Sequence, residues 1–338
     1  MKLSFKQYTL RLKHPFTLSR GSSDTRQSVI VEIEHDGLVG YGEAAPIMRY
    51  GESAETVVAF LNMVHFPPSA DPANVDELLD YVHSVVPGNY SAKAAIDIAL
   101  HDWNAKAQNT PPWKLWGLDG HKTLVTSFTI GIDSLNKIEQ KVKEAEEYPI
   151  FKVKLGVPND QEIISTIRRL TEKTIRVDAN EGWTDKHLAL DKVLWLENQL
   201  IELVEQPLPA SQIDDMAWLH EQVHIPLIAD ESVKHPSDLS SLRGAFDGIN
   251  IKLMKCGGLR EARKMINAAK KLNLKVMLGC MIETSVGISA AAQLTPLADY
   301  ADLDGSLLIE NDPFEGTIFD NGKIRLNESN GLGVRVMK

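Results

Sequence analysis

The sequence predicts an α/β fold, a parallel (β/α)8 barrel carrying an α+β capping domain built from the N-terminal third and the C-terminal tail. Three observations predict it. From about Leu124, short apolar runs recur at near-regular intervals: VTSFTIGI, IFKVKLG, TIRVDAN, LIELVEQP, IPLIAD, GINIKL, LKVMLGC and ADYADLD. Amphipathic segments such as NDQEIISTIRRLTEK and GGLREARKMINAAKKLN separate them, and eight strands alternating with helices is the pattern of such a barrel. The opening third reads differently, as strands followed by helices. Five consecutive runs of the barrel end on a charged side chain, in the order Lys, Asp, Glu, Asp, Lys. The expected organisation is residues 1–120 for the capping domain, 121–310 for the barrel and 311–338 for a C-terminal return to the capping domain.

Taken in order, LSFKQYTLRL and SVIVEIEH alternate as strands do, and Asp36-Gly37 turns into a third strand, LVGYGEA. The polar stretch Ser19–Asp24 between the first two strands predicts a loop, and Ile47–Glu52 predicts a second. From Ser53 to about Gln108, SAETVVAFLNMV, NVDELLDYVHSVV and YSAKAAIDIALHDWNAKAQ place apolar residues three and four apart, as helices require. Thr110-Pro111-Pro112 and Gly117–Gly120 punctuate the chain ahead of the barrel. The final stretch, including GTIFDNGKIRLNESNG, returns to a hairpin-like pattern that should pack back on the first domain.

The 338 residues carry a formal net charge of −10, which argues against nucleic acid or an anionic membrane as partner, since both need a basic face. A small-molecule substrate is the expected partner. Two cysteines, Cys256 and Cys280, give neither a disulfide framework nor a CxxC spacing. The start lacks the apolar core of a signal peptide, and no run approaches the ~20 apolar residues of a membrane span. A soluble, cytoplasmic protein is expected; a homo-oligomer is compatible with the sequence, which leaves that state open.

The charged run ends carry the chemistry. Asp178, Glu205 and Asp230 lie 27 and 25 residues apart, one strand plus one helix each. At the C-terminal ends of barrel strands 3, 4 and 5 they converge on the open face where barrels do chemistry. Three oxygen ligands without His or Cys suit a hard cation, Mg²⁺ before Mn²⁺. Lys154 on strand 2 and Lys252 on strand 6 are diametrically opposed in an eight-membered ring, so a ligand on the carboxylates meets one lysine on each face. Lys152 shares a face with Lys154, being two residues away on a strand. Close ammonium groups disfavour each other's charge, so this pair is expected to lower a lysine towards the ~7–8 useful to a general base. Opposed bases around a metal-held carboxylate suit removal of the adjacent carbon-bound proton and its return from the other side. Racemisation or epimerisation is the direct reading.

At KVK (152–154), the carboxylates of VDAN, VEQP and ADES, and NIK ending at Lys252, the chain resembles the enolase superfamily, in its muconate-lactonising-enzyme-like subgroup. The resemblance covers nearly the whole length. It implies one Mg²⁺ on Asp178, Glu205 and Asp230, Lys154 and Lys252 as opposed acid/base groups, and Lys152 as an auxiliary cation. A Lys or His base with Mg²⁺ is this superfamily's established pattern. No His-Asp base pair stands at strands 6–7, against the mandelate-racemase-like branch. On strand 8, ADLDGS places Asp302 and Asp304 two residues apart, opposite strand 4. Two carboxylates there would grip the ammonium of a dipeptide zwitterion and repel a dicarboxylate. The pair is similar to the Asp-x-Asp that marks dipeptide epimerases, which implies inversion at the C-terminal residue of a dipeptide. Arg20 resembles an arginine that meets an acidic substrate side chain, pointing to Ala-Glu, and Thr129 resembles a substrate-contacting position. Cys280–Glu283 faces the site without an assigned role.

The alternatives are an N-acylamino acid racemase, a cycloisomerase or o-succinylbenzoate synthase using the same metal and lysines. Outside that chemistry stand a Schiff-base aldolase using Lys154 or Lys252, and a non-catalytic metal-dependent binding protein.

Overall fold

The computed structural model describes residues 1–19, 21–242 and 244–337. Strands β1 (Lys2–Leu18), β2 (Gly21–His35) and β3 (Leu38–Ala44) form an antiparallel sheet. Its alternation buries Val29, Val31 and Ile33 against α1 (Ala54–Leu61), α2 (Val75–Val85) and α3 (Tyr90–Ala107). Helix α3 is Ala-rich and buried almost all round, and it lies directly on β3. Gly40 and Gly42 permit that approach: a Cβ at either would strike the carbonyl of Ala99 or Ala95.

The stretch Ser19–Asp24 is not the free loop expected. Most of it continues β2, with Phe16, Thr17 and Leu18 paired to Ser23, Ser22 and Gly21 beyond a register shift after Arg11. Hydroxyl-rich residues read as a loop in isolation, but a tertiary partner supplies the ladder that local propensity lacks. The hairpin leans on the barrel, where Leu12 bridges to Ile309 and the Thr17 carbonyl accepts from the Ile132 amide at 3.1 Å.

After the single turn α4 (Pro112–Leu115), eight parallel strands follow: β4 (Phe128–Ile130), β5 (Ile150–Lys154), β6 (Thr174–Asp178), β7 (Ile201–Glu205), β8 (Leu227–Ala229), β9 (Gly248–Lys252), β10 (Lys275–Gly279) and β11 (Tyr300–Asp302). Each falls within one of the eight apolar runs. The ring closes through a parallel bridge between Thr126 and Ala301. Helices α5 (Leu135–Glu144), α6 (Asp160–Leu170), α7 (Lys186–Glu197), α8 (Ile213–His220), α9 (Leu253–Cys256), α10 (Leu259–Lys271) and α11 (Ser285–Ala292) cover the outside. Among the described residues, the crossover after β8 carries a 3-10 segment, Pro236–Leu242, in place of an α-helix. Phe151, Val153 and Val177 point outward into the helix-facing core, which turns Lys152, Lys154 and Asp178 inward. Leu203, Ile228 and Met277 fill the barrel below them. The tail strands β12 (Phe314–Glu315), β13 (Ile318–Asp320), β14 (Lys323–Arg325) and β15 (Arg335–Val336) touch both regions. Gly322 carbonyl accepts from Thr126 at 2.8 Å, and Leu332 amide donates to Asp102 on α3 at 2.7 Å. No helix of the described residues is long and apolar enough to cross a membrane.

Candidate active site

Register builds the site. Lys154, Asp178 and Glu205 are paired row-mates across β5, β6 and β7, and Lys252, Gly279 and Asp302 across β9, β10 and β11. Asp230 sits one residue beyond β8 and is buried with Asp178 and Glu205. One carboxylate oxygen from each of the three lies within 4.8 Å of the others.

That proximity has a cost visible in the acids themselves. Burial and the Asp178 charge raise Glu205 to about 7, although Lys152 works against them. Asp178 goes the other way, to about 2, because Lys154 and Lys152 overcome the cost of its burial. Asp230 is likewise held well below its ordinary range: burial opposes, but Lys252 and Lys255 prevail. Glu205 Oε1 accepts from Asn250 Nδ2 at 2.8 Å, whereas buried Oε2 has no hydrogen bond and only lies 2.7 Å from Lys152 Nζ. Three crowded carboxylates, one with an oxygen outside hydrogen-bond geometry, form an all-oxygen donor set that fits a hard divalent cation.

Lys154 Nζ donates to Asp178 at 2.7 Å and Lys252 Nζ to Asp230 at 2.8 Å, so the two lysines flank the trio from opposite sides of the ring. Lys152 departs from the expectation of a lowered pKa. Its ammonium lies 2.6 Å from Asp302, 2.7 Å from Glu205 and 3.2 Å from Asp178. Burial lowers its charge affinity, but the three carboxylates outweigh that and hold it well above its ordinary value. One neighbouring ammonium cannot compete with three acids at contact. Lys152 therefore ties Asp178 and Glu205 to Asp302 at the end of β11.

Asp302 and Asp304 line the same cavity as the lysines, about 440 Å³ in volume. Asp302 is clasped by Lys152 and by the Ser127 hydroxyl at 2.7 Å. Asp304 stands past the end of β11 and accepts from the Thr129 amide at 2.6 Å. Its burial and the Asp302 charge raise it to about 7. Thr129 also lines the cavity. Arg20 lies outside the described residues.

Three supporting residues were not singled out from the sequence. Lys255 Nζ reaches the Asp230 carboxylate at 2.6 Å and three backbone carbonyls, those of Asp230, Val233 and Asn250. Asn250 sits two residues before Lys252 on β9, the same spacing that pairs Lys152 with Lys154. Gln206, at φ 38°, accepts from the Asp230 and Ser232 amides at 3.0 Å. In Cys280–Glu283, Cys280, Met281 and Ile282 line the cavity and Glu283 accepts from the Met281 amide at 2.7 Å.

Comparison with known proteins matches residues 4–117 to the mandelate racemase / muconate lactonizing enzyme N-terminal domain, and residues 136–338 to the enolase C-terminal domain-like family. The L-Ala-D/L-Glu epimerase of Bacteroides thetaiotaomicron is 50% identical over 335 residues, 99% of this chain and 88% of that protein. The dipeptide epimerase of Cytophaga hutchinsonii, solved with Mg and D-Ala-L-Val, superposes with a TM-score of 0.93 at 29% identity, covering 99% of this chain and 95% of that one. That of Methylococcus capsulatus, solved with Mg and L-Arg-D-Lys, gives 0.93 at 31%, covering 99% of each.

Proposed function

The chain belongs to the mandelate racemase / muconate lactonizing enzyme family, with its enolase-like C-terminal domain, and on that premise we propose that it is a dipeptide epimerase. It inverts Cα of the C-terminal residue by removing its proton from one face and returning a proton to the other. The observation that carries this reading is the opposition of Lys154 and Lys252 across a buried carboxylate trio, with a second acidic pair in the same cavity.

Asp178, Glu205 and Asp230 would hold one Mg²⁺, which supplies Lewis-acid stabilisation of the charge that develops on the substrate carboxylate. Lys154 Nζ or Lys252 Nζ takes the proton from one face of Cα, which becomes planar. The opposite lysine gives a proton to the other face, and the centre is inverted. Lys152 stays cationic beside the developing negative charge, as its high pKa requires. Asp302 and Asp304 receive the N-terminal ammonium, with Ser127, Lys152 and Thr129 fixing their carboxylates. Asn250 and Lys255 orient Glu205 and Asp230.

The test is proton exchange in D₂O. L,L-dipeptides should gain deuterium at Cα of the second residue and convert to the L,D form. An N-acetylated dipeptide should react poorly because it lacks the ammonium. Equal turnover of the acetylated substrate would point instead to an N-acylamino acid racemase.

A further inference from the structure

The turn that follows β6 is held in a conformation its residues do not favour. Asn180 and Glu181, two and three residues beyond the ligand Asp178, have φ of 46° and 64°, in the left-handed region that penalises a side chain. A glutamate persists there only where surrounding contacts outweigh the strain. Its carboxylate supplies such contacts, and its two oxygens serve different parts of the molecule. Oε1 accepts from the Ala210 amide beyond β7 at 2.8 Å, while Oε2 accepts from Arg49 of the cap, from Nε at 3.1 Å and from Nη2. The Glu181 side chain is only 9% exposed, so solvent and salt screen this ion pair little. The Glu181 amide also donates to the Gln206 carbonyl at 2.9 Å, and the Gln206 side chain accepts from the Asp230 amide. The turns that carry Asp178, Glu205 and Asp230 are thus laced together.

On its inner side this turn grips a metal ligand, because the Asn180 amide donates to Asp178 Oδ1 at 2.9 Å. On its outer side it meets the cap. Arg49 belongs to the 3-10 turn Met48–Tyr50, between β3 and α1, which lines the cavity. The base of that segment is fixed where Glu52 accepts from the Tyr90 and Ser91 amides of α3. Its tip carries Met48, 74% exposed, and has little packing of its own. An ion on the trio fixes Asp178 and, through the Asn180 amide, the turn that presents Glu181 to Arg49.

We propose that Glu181 is a positioning residue that couples the metal centre to the cap. It fixes the turn that orients Asp178 and, through Arg49, makes Mg²⁺ binding and ordering of segment 47–52 favour each other. The inference rests on the reading of Asp178, Glu205 and Asp230 as the Mg²⁺ site, and it needs no substrate.

The test uses the full-length protein without substrate, with folding of each variant checked by thermal melt. The Tyr50 and Gly51 amides donate within the turn, to the Ile47 and Met48 carbonyls at 2.9 Å, so their hydrogen exchange reports its opening. Replacing EDTA by Mg²⁺ should slow that exchange in wild type at least about 5-fold, the lower end of ordinary coupling between sites. Arg49→Gln should make the exchange indifferent to Mg²⁺ and, by reciprocity, weaken Mg²⁺ binding in calorimetry by up to the same factor. Arg49→Lys, which keeps the charge, should keep part of the coupling. Glu181→Gly relieves the left-handed strain but deletes the carboxylate; it should lose the coupling and about 10-fold or more in Mg²⁺ affinity. The proposal is overturned if Mg²⁺ leaves the wild-type exchange unchanged, if Arg49→Gln keeps the protection, or if Glu181→Gly binds Mg²⁺ as tightly as wild type. Absence of any Mg²⁺ binding by wild type would overturn the metal reading beneath it as well.

Discussion

Lys255 shows how much of a metal centre lies behind its ligands. It does not line the cavity, yet its ammonium donates to Oδ1 of Asp230 and ties that carboxylate to three backbone carbonyls around it. Substituting Lys255→Met removes those bonds while keeping an unbranched side chain one atom shorter. Mg²⁺ affinity, read by titration calorimetry, should fall roughly 10–100-fold, the usual effect of losing a residue that orients a ligand. Unchanged affinity would show that Asp230 is held by β8 alone. Asp178, Glu205 and Asp230 were legible in the sequence because each ends an apolar run. Lys255 was not, because its role depends on the turn from β9 into α9, and a lysine in such a turn reads as solvated. Asn250 was within reach of the two-residue spacing already applied to Lys152 and Lys154. The lowered lysine expected from that pair failed for Lys152 because a sequence shows the like charge beside it but not three carboxylates from other strands.

Among the elements, the contact between β3 and the loop after β10 is the least expected. Glu43 on β3 accepts from the Thr284 hydroxyl at 2.6 Å, the Ser28 hydroxyl at 2.7 Å and the Gly287 amide at 2.9 Å. Glu283 lies close enough that a Cβ at Gly287 would meet both carboxylates. Burial, reinforced by Glu43, raises Glu283 to about 8 from an ordinary 4.5, against the Met281 amide. A raised acid binds its proton more tightly in the fold than in the unfolded chain. Its contribution to stability is therefore complete below about pH 4.5 and lost as the pH climbs towards 8. Glu283→Gln fixes the uncharged form, so the fall in melting temperature between pH 5 and 8 should become shallower. An unaltered slope would mean that Glu283 is ionised in the fold across that range. The eight barrel strands were readable as elements because each must be apolar on the helix side. The hairpin through Ser22 and Ser23 was not, since its pairing is imposed from β1.

At the scale of the molecule, one sheet-and-helix cap and one barrel are joined both at the barrel mouth and along the helices, where Arg260 on α10 pairs with Asp80 on α2 and the Leu259 amide donates to Asp97 on α3. A ligand bound at the mouth stabilises the whole fold by mass action. Mg²⁺ at about 100 times its Kd should add about 2.7 kcal/mol of stability, visible as a rise in melting temperature that Asp178→Asn weakens. EDTA should abolish activity and Mg²⁺ restore it, whereas a Schiff-base mechanism would survive the chelator. What the sequence could not supply at this scale is the cavity, because Arg26 and Arg49 of the cap line it together with Lys152, which lies over a hundred residues further along the chain.

The central claim is that Lys154 and Lys252 work on opposite faces of one carbon, and deuterium exchange with separated stereoisomers tests it most directly. Wild type should deuterate Cα of the second residue from both the L,L and the L,D dipeptide. Lys154→Ala and Lys252→Ala should each slow epimerisation by roughly 10²–10⁴-fold, the range for a lost general acid or base. Each variant should keep exchange, if it keeps any, from one stereoisomer only, and the two variants should keep opposite ones. Exchange of both stereoisomers by either single variant, or the same residual stereoisomer in both, would contradict the two-face arrangement.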